Sequence, residues 1–104
     1  MNRVLVAATG ILLLSGCATV EDRIAYDIYW EAGKPCEAQY HTLSMVRVLR
    51  DGSLTLVAAA DSSSEKAKFV ECYWAGIRKL VEQRRQAGQP LPEDFKMEPS
   101  VDID

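Results

Sequence analysis

The dipeptide Asp51-Gly52 restricts the fold of this chain more than any other feature, because it lies between two runs rich in β-forming residues. Asp-Gly supplies the positive φ angles of a two-residue type I′ turn, so residues 40–60 are predicted to form a β-hairpin. Alternation along its strands gives one nearly apolar face. The predicted pairs on that face are Leu49 with Leu54, Arg47 with Leu56, Met45 with Ala58 and Leu43 with Ala60. A hairpin alone is marginally stable, so another element must cover this face.

The covering element is predicted in residues 62–90. Ser62 and Glu65 have the spacing of a capping box, and Gly88 with Pro90 is typical of a helix stop. Between these signals, apolar residues recur at steps of three and four, as on one face of a helix. They are Phe69, Val70, Tyr73, Ile77, Leu80 and Val81. We therefore predict a long amphipathic helix that packs on the hairpin.

Residues 18–35 fit two patterns, since their apolar residues match both helical spacing and strand alternation, and we predict a helix. Thr19 followed by two acidic residues favours a helix start, because acidic groups suit the positive end of the helix dipole. Gly33 and Pro35 would end that helix. After residue 90 the chain is rich in proline and acidic residues. We predict a packed segment around Leu91 and Phe95, then a flexible acidic tail over 97–104.

The N-terminal residues 1–16 have the layout of a secretory signal peptide. Arg3 precedes an apolar run, and small residues follow before Cys17. The run is shorter than the roughly 20 apolar residues of a membrane-spanning helix, and charged residues follow directly. A permanent membrane span is therefore not predicted.

The tetrapeptide Leu14-Ser15-Gly16-Cys17 resembles the lipobox of bacterial lipoproteins. The resemblance implies that the Cys17 thiol receives a diacylglyceryl group, that a peptidase cuts before it, and that the new amino group is acylated, commonly with palmitate. The chain would then be held at a membrane, since each buried CH₂ contributes about 0.8 kcal/mol. The alternative is an ordinary signal peptide or buried helix with an incidental cysteine. Ala18, where an Asp would favour the inner membrane, favours the periplasmic face of the outer membrane.

Composition limits the mature chain to one small domain. Residues 17–96 are predicted to form an α+β periplasmic domain between the signal peptide and the acidic tail. In it, two to three antiparallel strands pack on one main helix, with an N-terminal helix and one disulfide. The whole chain has a net charge of −3, and removing Arg3 makes it more acidic, so it is not basic enough for nucleic acid. A domain of this size buries a modest core and gains from a covalent staple.

Cys36 and Cys72 remain once Cys17 carries lipid, and an exported protein lies where disulfides persist. We predict that they pair, which would stabilise the fold by about 4 kcal/mol in the chain-entropy model. Cys36 lies ahead of the first predicted strand, so the bond would join the long helix to the sheet. Free thiols and a metal site are the alternatives. A zinc site lacks ligands, because neither cysteine belongs to a CxxC pair and His41 is the only histidine.

The order helix, Asp-Gly hairpin, cysteine-containing helix and Pro-x-Pro segment resembles the C-terminal domain of TolA and, more loosely, that of TonB. The residues that carry the resemblance are Cys36, Asp51-Gly52-Ser53-Leu54, Cys72 with Ala75 and Ile77, and Pro90-Leu91-Pro92. It implies that the two cysteines pair, that a third strand completes a small sheet and that the domain binds proteins. Those domains hang from an inner-membrane helix by a long spacer. This chain has almost no spacer, so the resemblance does not imply energy transduction.

Catalytic patterns are absent from the sequence. It has no GxSxG, HExxH or phosphate-binding glycine loop. His41 is the only group that titrates near neutrality without a perturbed pKa. Ser62-Ser63-Ser64 is better explained as a helix start, and Glu93-Asp94 lies in a polar, proline-rich stretch. We predict a protein that is not an enzyme and has no cofactor or metal.

Aromatic side chains are the candidate binding residues: Trp30 and Tyr29 in one segment, Tyr73 and Trp74 in the other. Exposed aromatics are favoured at protein interfaces and stack on sugars. The alternative is that both pairs close over one core. We predict a lipoprotein that contacts another envelope protein, with a small-ligand or glycan-binding lipoprotein as the alternative. A groove lined by Trp30 and Trp74 would favour the ligand; a free strand edge would favour protein contact.

Four basic residues of the long helix, Arg78, Lys79, Arg84 and Arg85, allow a second binding hypothesis, a patch for anionic lipid or glycan. Surface charge explains them equally well. Arg78 and Glu82 have the spacing of an i, i+4 ion pair, and the others suit the negative end of the helix dipole.

Overall fold

The computed structural model describes residues 19–59 and 63–104. The elements are α1 (Val20–Gln39), β1 (Leu43–Val48), β2 (Leu54–Ala58), α2 (Ser63–Gln86) and β3 (Val101–Ile103). The strands form one sheet in the order β1-β2-β3, which confirms the predicted α+β class. Cys17, the signal peptide and Ser62 of the predicted capping box lie outside the described residues. None of the helices within 19–59 and 63–104 is apolar over a length that would cross a membrane.

Helix α1 begins with the predicted cap and runs past the predicted stop. The Thr19 hydroxyl accepts the Asp22 N–H at 3.1 Å, and the Asp22 carboxylate accepts the Thr19 N–H at 3.5 Å. Gly33 and Pro35 lie inside the helix, so the prediction of a stop there is wrong. Tertiary packing outweighs the roughly 3 kcal/mol that a proline costs in a helix interior. The Met45 side chain packs directly on the backbone of α1 at Gly33, where a Cβ would lie 2.5 Å from its sulfur.

The hairpin forms in a register different from the predicted one. The observed pairs are Leu43 with Ala58, Ser44 with Val57, Met45 with Leu56, Arg47 with Thr55 and Val48 with Leu54. A β-bulge lies between Met45 and Arg47, and the connection is the longer loop 49–53. One extra residue reverses which side chains point inward. Val48 is therefore buried, whereas Arg47 and Leu49 are exposed, so the bulge removes a charge from the apolar face.

Helix α2 is confirmed as the long amphipathic element. Phe69, Tyr73, Ile77 and Val81 are buried, and Val70 and Leu80 are partly buried. Gly88 adopts a positive φ of 72° after the last turn, and the Gln89 N–H donates to the Arg84 carbonyl at 3.0 Å. This is the predicted glycine stop. The Glu65 carboxylate accepts a hydrogen bond from the Thr42 hydroxyl, which ties the first turn of α2 to the turn between α1 and β1.

The C-terminal segment forms a strand, so the prediction of a flexible tail over 97–104 is wrong for residues 101–103. The Leu54 N–H donates to Ser100 at 3.0 Å, and the Asp104 N–H donates to Leu56 at 2.8 Å. Strand β3 runs parallel to β2, not antiparallel as expected, because α2 carries the chain back to the starting end of β2. Pro99 and Val101 are buried, and this apolar contact outweighs the acidic composition.

The core lies where both helices meet one face of the sheet. The disulfide is confirmed: Cys36 and Cys72 are joined, with a Cα–Cα distance of 5.9 Å. Cys36 lies inside α1 and not in a segment ahead of the first strand, so the bond joins two helices and not, as expected, helix to sheet. One turn along, the helices approach closely, since a Cβ at Gly76 would lie 3.2 Å from the Ala32 Cβ.

Candidate functional site

Two of the four candidate aromatic residues, Tyr29 and Tyr73, are core residues with 1% and 0% exposure. The Tyr29 ring stacks on Phe95 at a centroid distance of 4.9 Å, and its hydroxyl donates to the Lys96 carbonyl at 3.1 Å. The Tyr73 hydroxyl donates to the Gly52 carbonyl at 2.8 Å. Burial raises the pKa of Tyr29 to about 12 and raises the pKa of Tyr73 further. The two tyrosines are thus held inside the fold and are not available to a ligand at the surface.

The other two candidates, Trp30 and Trp74, are partly buried and have different neighbours. The indole N–H of Trp74 donates to the Pro99 carbonyl at 2.9 Å, which holds the C-terminal segment against α2. Trp30 lies on α1, edge-on to Tyr26 at 6.2 Å, with the Lys34 ammonium 5.3 Å from its ring centroid. A shallow depression beside Trp74 is lined by Tyr40 and residues of α2, and Trp30 is not part of its wall.

One edge of the sheet, that of β1, is covered. The Glu37 carboxylate on α1 accepts the outward-facing N–H of Met45 at 2.8 Å. The Leu43 N–H is likewise occupied, because it donates to the Tyr40 carbonyl at 3.0 Å. A charged side chain and a neighbouring helix are ordinary means of blocking an edge strand. Strand β1 is therefore not free to pair with another chain.

The opposite edge, that of β3, is open. Ser100 and Asp104 bond to β2, so the alternation of a β-strand directs the N–H and C=O groups of Val101 and Ile103 away from the sheet. Within residues 19–59 and 63–104, no hydrogen bond from another segment reaches these outward groups. Ile103 is 36% exposed. Sequence reasoning missed this edge, because the pairing of β3 depends on contacts distant in the chain.

The open edge continues onto the exposed face of the sheet. A shallow depression of about 440 Å³ joins the two surfaces. We call it the strand-edge site, and its residues are Val46, Arg47, Thr55, Asp102, Ile103 and Asp104. Val46 is 53% exposed and supplies an apolar contact at the surface. The strand-edge site thus offers unpaired backbone groups, apolar contacts and charged groups of both signs.

A second depression, of about 250 Å³, lies where α1 begins, beside the hairpin loop. Three of its charged groups, Asp22, Arg50 and Asp51, have partners inside the protein. Arg50 donates to Asp22 at 2.6 Å, and the Ser53 N–H donates to Asp51 at 2.9 Å. The hydrogen bonds from Ser53 lower the pKa of Asp51. In the part of the chain that the structure describes, no group of three or more His, Cys, Asp or Glu side chains could hold a metal ion.

Two of the four candidate basic residues of α2, Arg84 and Arg85, are paired within the fold. Arg84 donates to Glu31 on α1 at 2.9 Å, and Arg85 donates to Glu82 at 2.8 Å. Glu82 therefore pairs with Arg85 and not with Arg78 as predicted. These contacts support the interpretation that the basic residues are ordinary surface charge and not a patch for anionic lipid or glycan.

Comparison with known proteins finds no protein-family model, curated protein or solved structure that matches the chain. What the geometry defines is a class of domain: a small disulfide-bonded α+β fold, with two helices on one face of a three-stranded sheet that has one covered edge and one open edge.

Proposed function

We propose that this protein is a lipoprotein of the bacterial envelope, anchored at the outer membrane through Cys17, which binds an extended segment of another envelope protein at the strand-edge site. The single observation that carries the protein contact is the open edge of β3. An added strand would form backbone hydrogen bonds with Val101 and Ile103. Its side chains on the exposed face of the sheet would lie beside Asp102, with Thr55 on the next strand beyond.

The anchor and the compartment rest on two separate supports. The lipobox at residues 14–17 supports lipidation at Cys17. The Cys36–Cys72 disulfide fits a protein that works outside the cytoplasm, where such bonds persist. No catalytic role is part of this proposal: His41 is exposed on the turn after α1, and its imidazole makes no hydrogen bond or ion pair with residues 19–59 or 63–104.

The experiment uses a photo-activated crosslinker, p-benzoylphenylalanine, in place of Thr55 in the lipidated protein in cells. An adduct with an envelope protein is expected. Ile103→Pro removes an outward N–H without removing a bond to β2, so it should abolish the adduct. Ile103→Val keeps that N–H and should still form the adduct. An adduct equally strong in Ile103→Pro would contradict pairing at this edge, and an unacylated mass would contradict the anchor.

A further inference from the structure

A row of amphipathic side chains follows the outer side of α1, with Trp30 at its margin, partly buried against the core. Five residues at steps of three and four form what we call the aromatic stripe: Arg23, Tyr26, Asp27, Trp30 and Lys34. The opposite side of the helix is buried through Ala25, Ile28, Tyr29, Ala32 and Cys36. Within residues 19–59 and 63–104 no other element covers Arg23, Tyr26, Asp27 or Lys34, which are exposed, whereas Trp30 is partly buried.

The chemistry of the stripe suits the boundary between water and lipid. Tyrosine and tryptophan combine an apolar ring with a polar group and are favoured at the level of lipid headgroups. Long basic side chains reach phosphates while their stems stay in apolar surroundings. Arg23 forms no ion pair within the described residues. Lys34 lies over the Trp30 ring and is also paired with Glu37 at 3.8 Å. Asp27 offsets part of this positive charge, so the stripe does not depend on anionic lipid.

The short stretch of chain between Cys17 and α1 indicates that the aromatic stripe faces lipid. Cys17 is two residues before Thr19, the N-cap of α1, and two residues span at most about 7 Å. The stripe begins with Arg23, about one helical turn after that cap. A lipid on Cys17 would therefore keep the stripe next to the membrane surface at a high effective concentration, which makes even a weak contact favourable.

From these observations we propose that α1 lies along the headgroup layer of the bilayer, with the aromatic stripe facing the lipid. This inference rests on the lipidation of Cys17 proposed above. Helix α1 flanks β1, and β3 is at the other edge of the sheet. The strand-edge site would then face away from the bilayer and be accessible to a partner.

The two native tryptophans supply the test and its control. Trp74→Phe leaves Trp30 as the only indole, and Trp30→Phe leaves Trp74. Each lipidated full-length protein is placed in phosphatidylcholine vesicles whose acyl chains are dibrominated, because bromine quenches a nearby indole. Since interfacial helices bury their apolar side roughly 5–10 Å into the headgroup and acyl boundary, the emission of Trp30 should fall by about half. The emission of Trp74 should stay close to its value in unbrominated vesicles.

The outcomes separate this inference from the proposed function. An intact mass without acyl chains contradicts the anchor itself. If the protein is acylated but Trp30 is no more quenched than Trp74, only the proposed orientation of α1 is overturned. The aromatic stripe would then face water or a protein. Trp74→Phe loses the hydrogen bond to Pro99, so the wild-type protein is measured as well. The difference between wild type and Trp30→Phe then reports on Trp30 in an unaltered fold.

Discussion

The hydroxyl of Tyr73 in α2 donates a hydrogen bond to the carbonyl of Gly52 in the hairpin loop at 2.8 Å. Both residues are buried, and Gly52 has a positive φ of 87°. Gly52 also lies against Tyr29 of α1 and against Pro99, the residue that leads into β3. One glycine of the loop thus contacts both helices and the C-terminal segment, so the whole fold depends on its small size.

Gly52→Ala should reduce the free energy of unfolding by about 2–4 kcal/mol, because the new Cβ is both strained and overpacked. It would lie 2.5 Å from the Tyr29 ring and 2.9 Å from Pro99. Urea unfolding of the domain without its first 17 residues measures the change. Gly88→Ala is the matched control: Gly88 has a φ of 72° but no atom within 4 Å, so only backbone strain of about 1 kcal/mol is expected. Equal effects at both glycines would contradict the packing at Gly52.

Removing the disulfide should reduce the free energy of unfolding by about 4 kcal/mol, since the bond closes a loop between residues 36 positions apart. Urea unfolding of the double variant Cys36→Ala, Cys72→Ala measures the loss. The wild-type protein in excess reductant should unfold at the same urea concentration as the variant. A reduced protein as stable as the oxidised one would show that the two helices hold together without the bond.

Alkaline pH should destabilise the fold through its buried tyrosines. Burial raises the pKa of Tyr29 from 10.0 to about 12, so the folded state retains the phenol proton more tightly than the unfolded chain. This contribution to stability is complete below pH 10 and is lost as the pH rises from 10 to about 12. The measurement is the free energy of unfolding in urea at several pH values. Tyr29→Phe should lower stability but weaken this pH dependence; an unchanged dependence would rule Tyr29 out as its source.

Glu37→Ala should free the covered edge of β1, because the Met45 N–H loses its acceptor at 2.8 Å. We expect a loss of about 1–3 kcal/mol in unfolding free energy and new self-association through the exposed strand edge. Sedimentation velocity over a range of concentrations measures the association. Glu37→Gln keeps a carbonyl acceptor and should remain monomeric. If Glu37→Ala is monomeric as well, α1 alone covers the edge.

The strand-edge site could be predicted only in part. Its β1 and β2 residues belong to the hairpin that Asp51-Gly52 indicates, but β3 reads as a flexible acidic tail. Pairing of residues 101–103 with 54–56 joins segments far apart in the chain, and no local pattern encodes such a pairing. For a similar reason, the sequence did not show which of the four candidate aromatic residues are buried and which are only partly buried. Local spacing does not show which side of each helix the other elements cover.

Local chemistry predicts α2 with its glycine stop, the Thr19 cap and the existence of the hairpin, because each depends on residues within a few positions of one another. The cysteine pair also follows from the sequence, since only two cysteines remain after Cys17. The bulge at Val46, the passage of α1 through Pro35 and the parallel third strand were decided by tertiary contacts. In each case burial of apolar surface by distant residues contributes more free energy than the local preference it overrides.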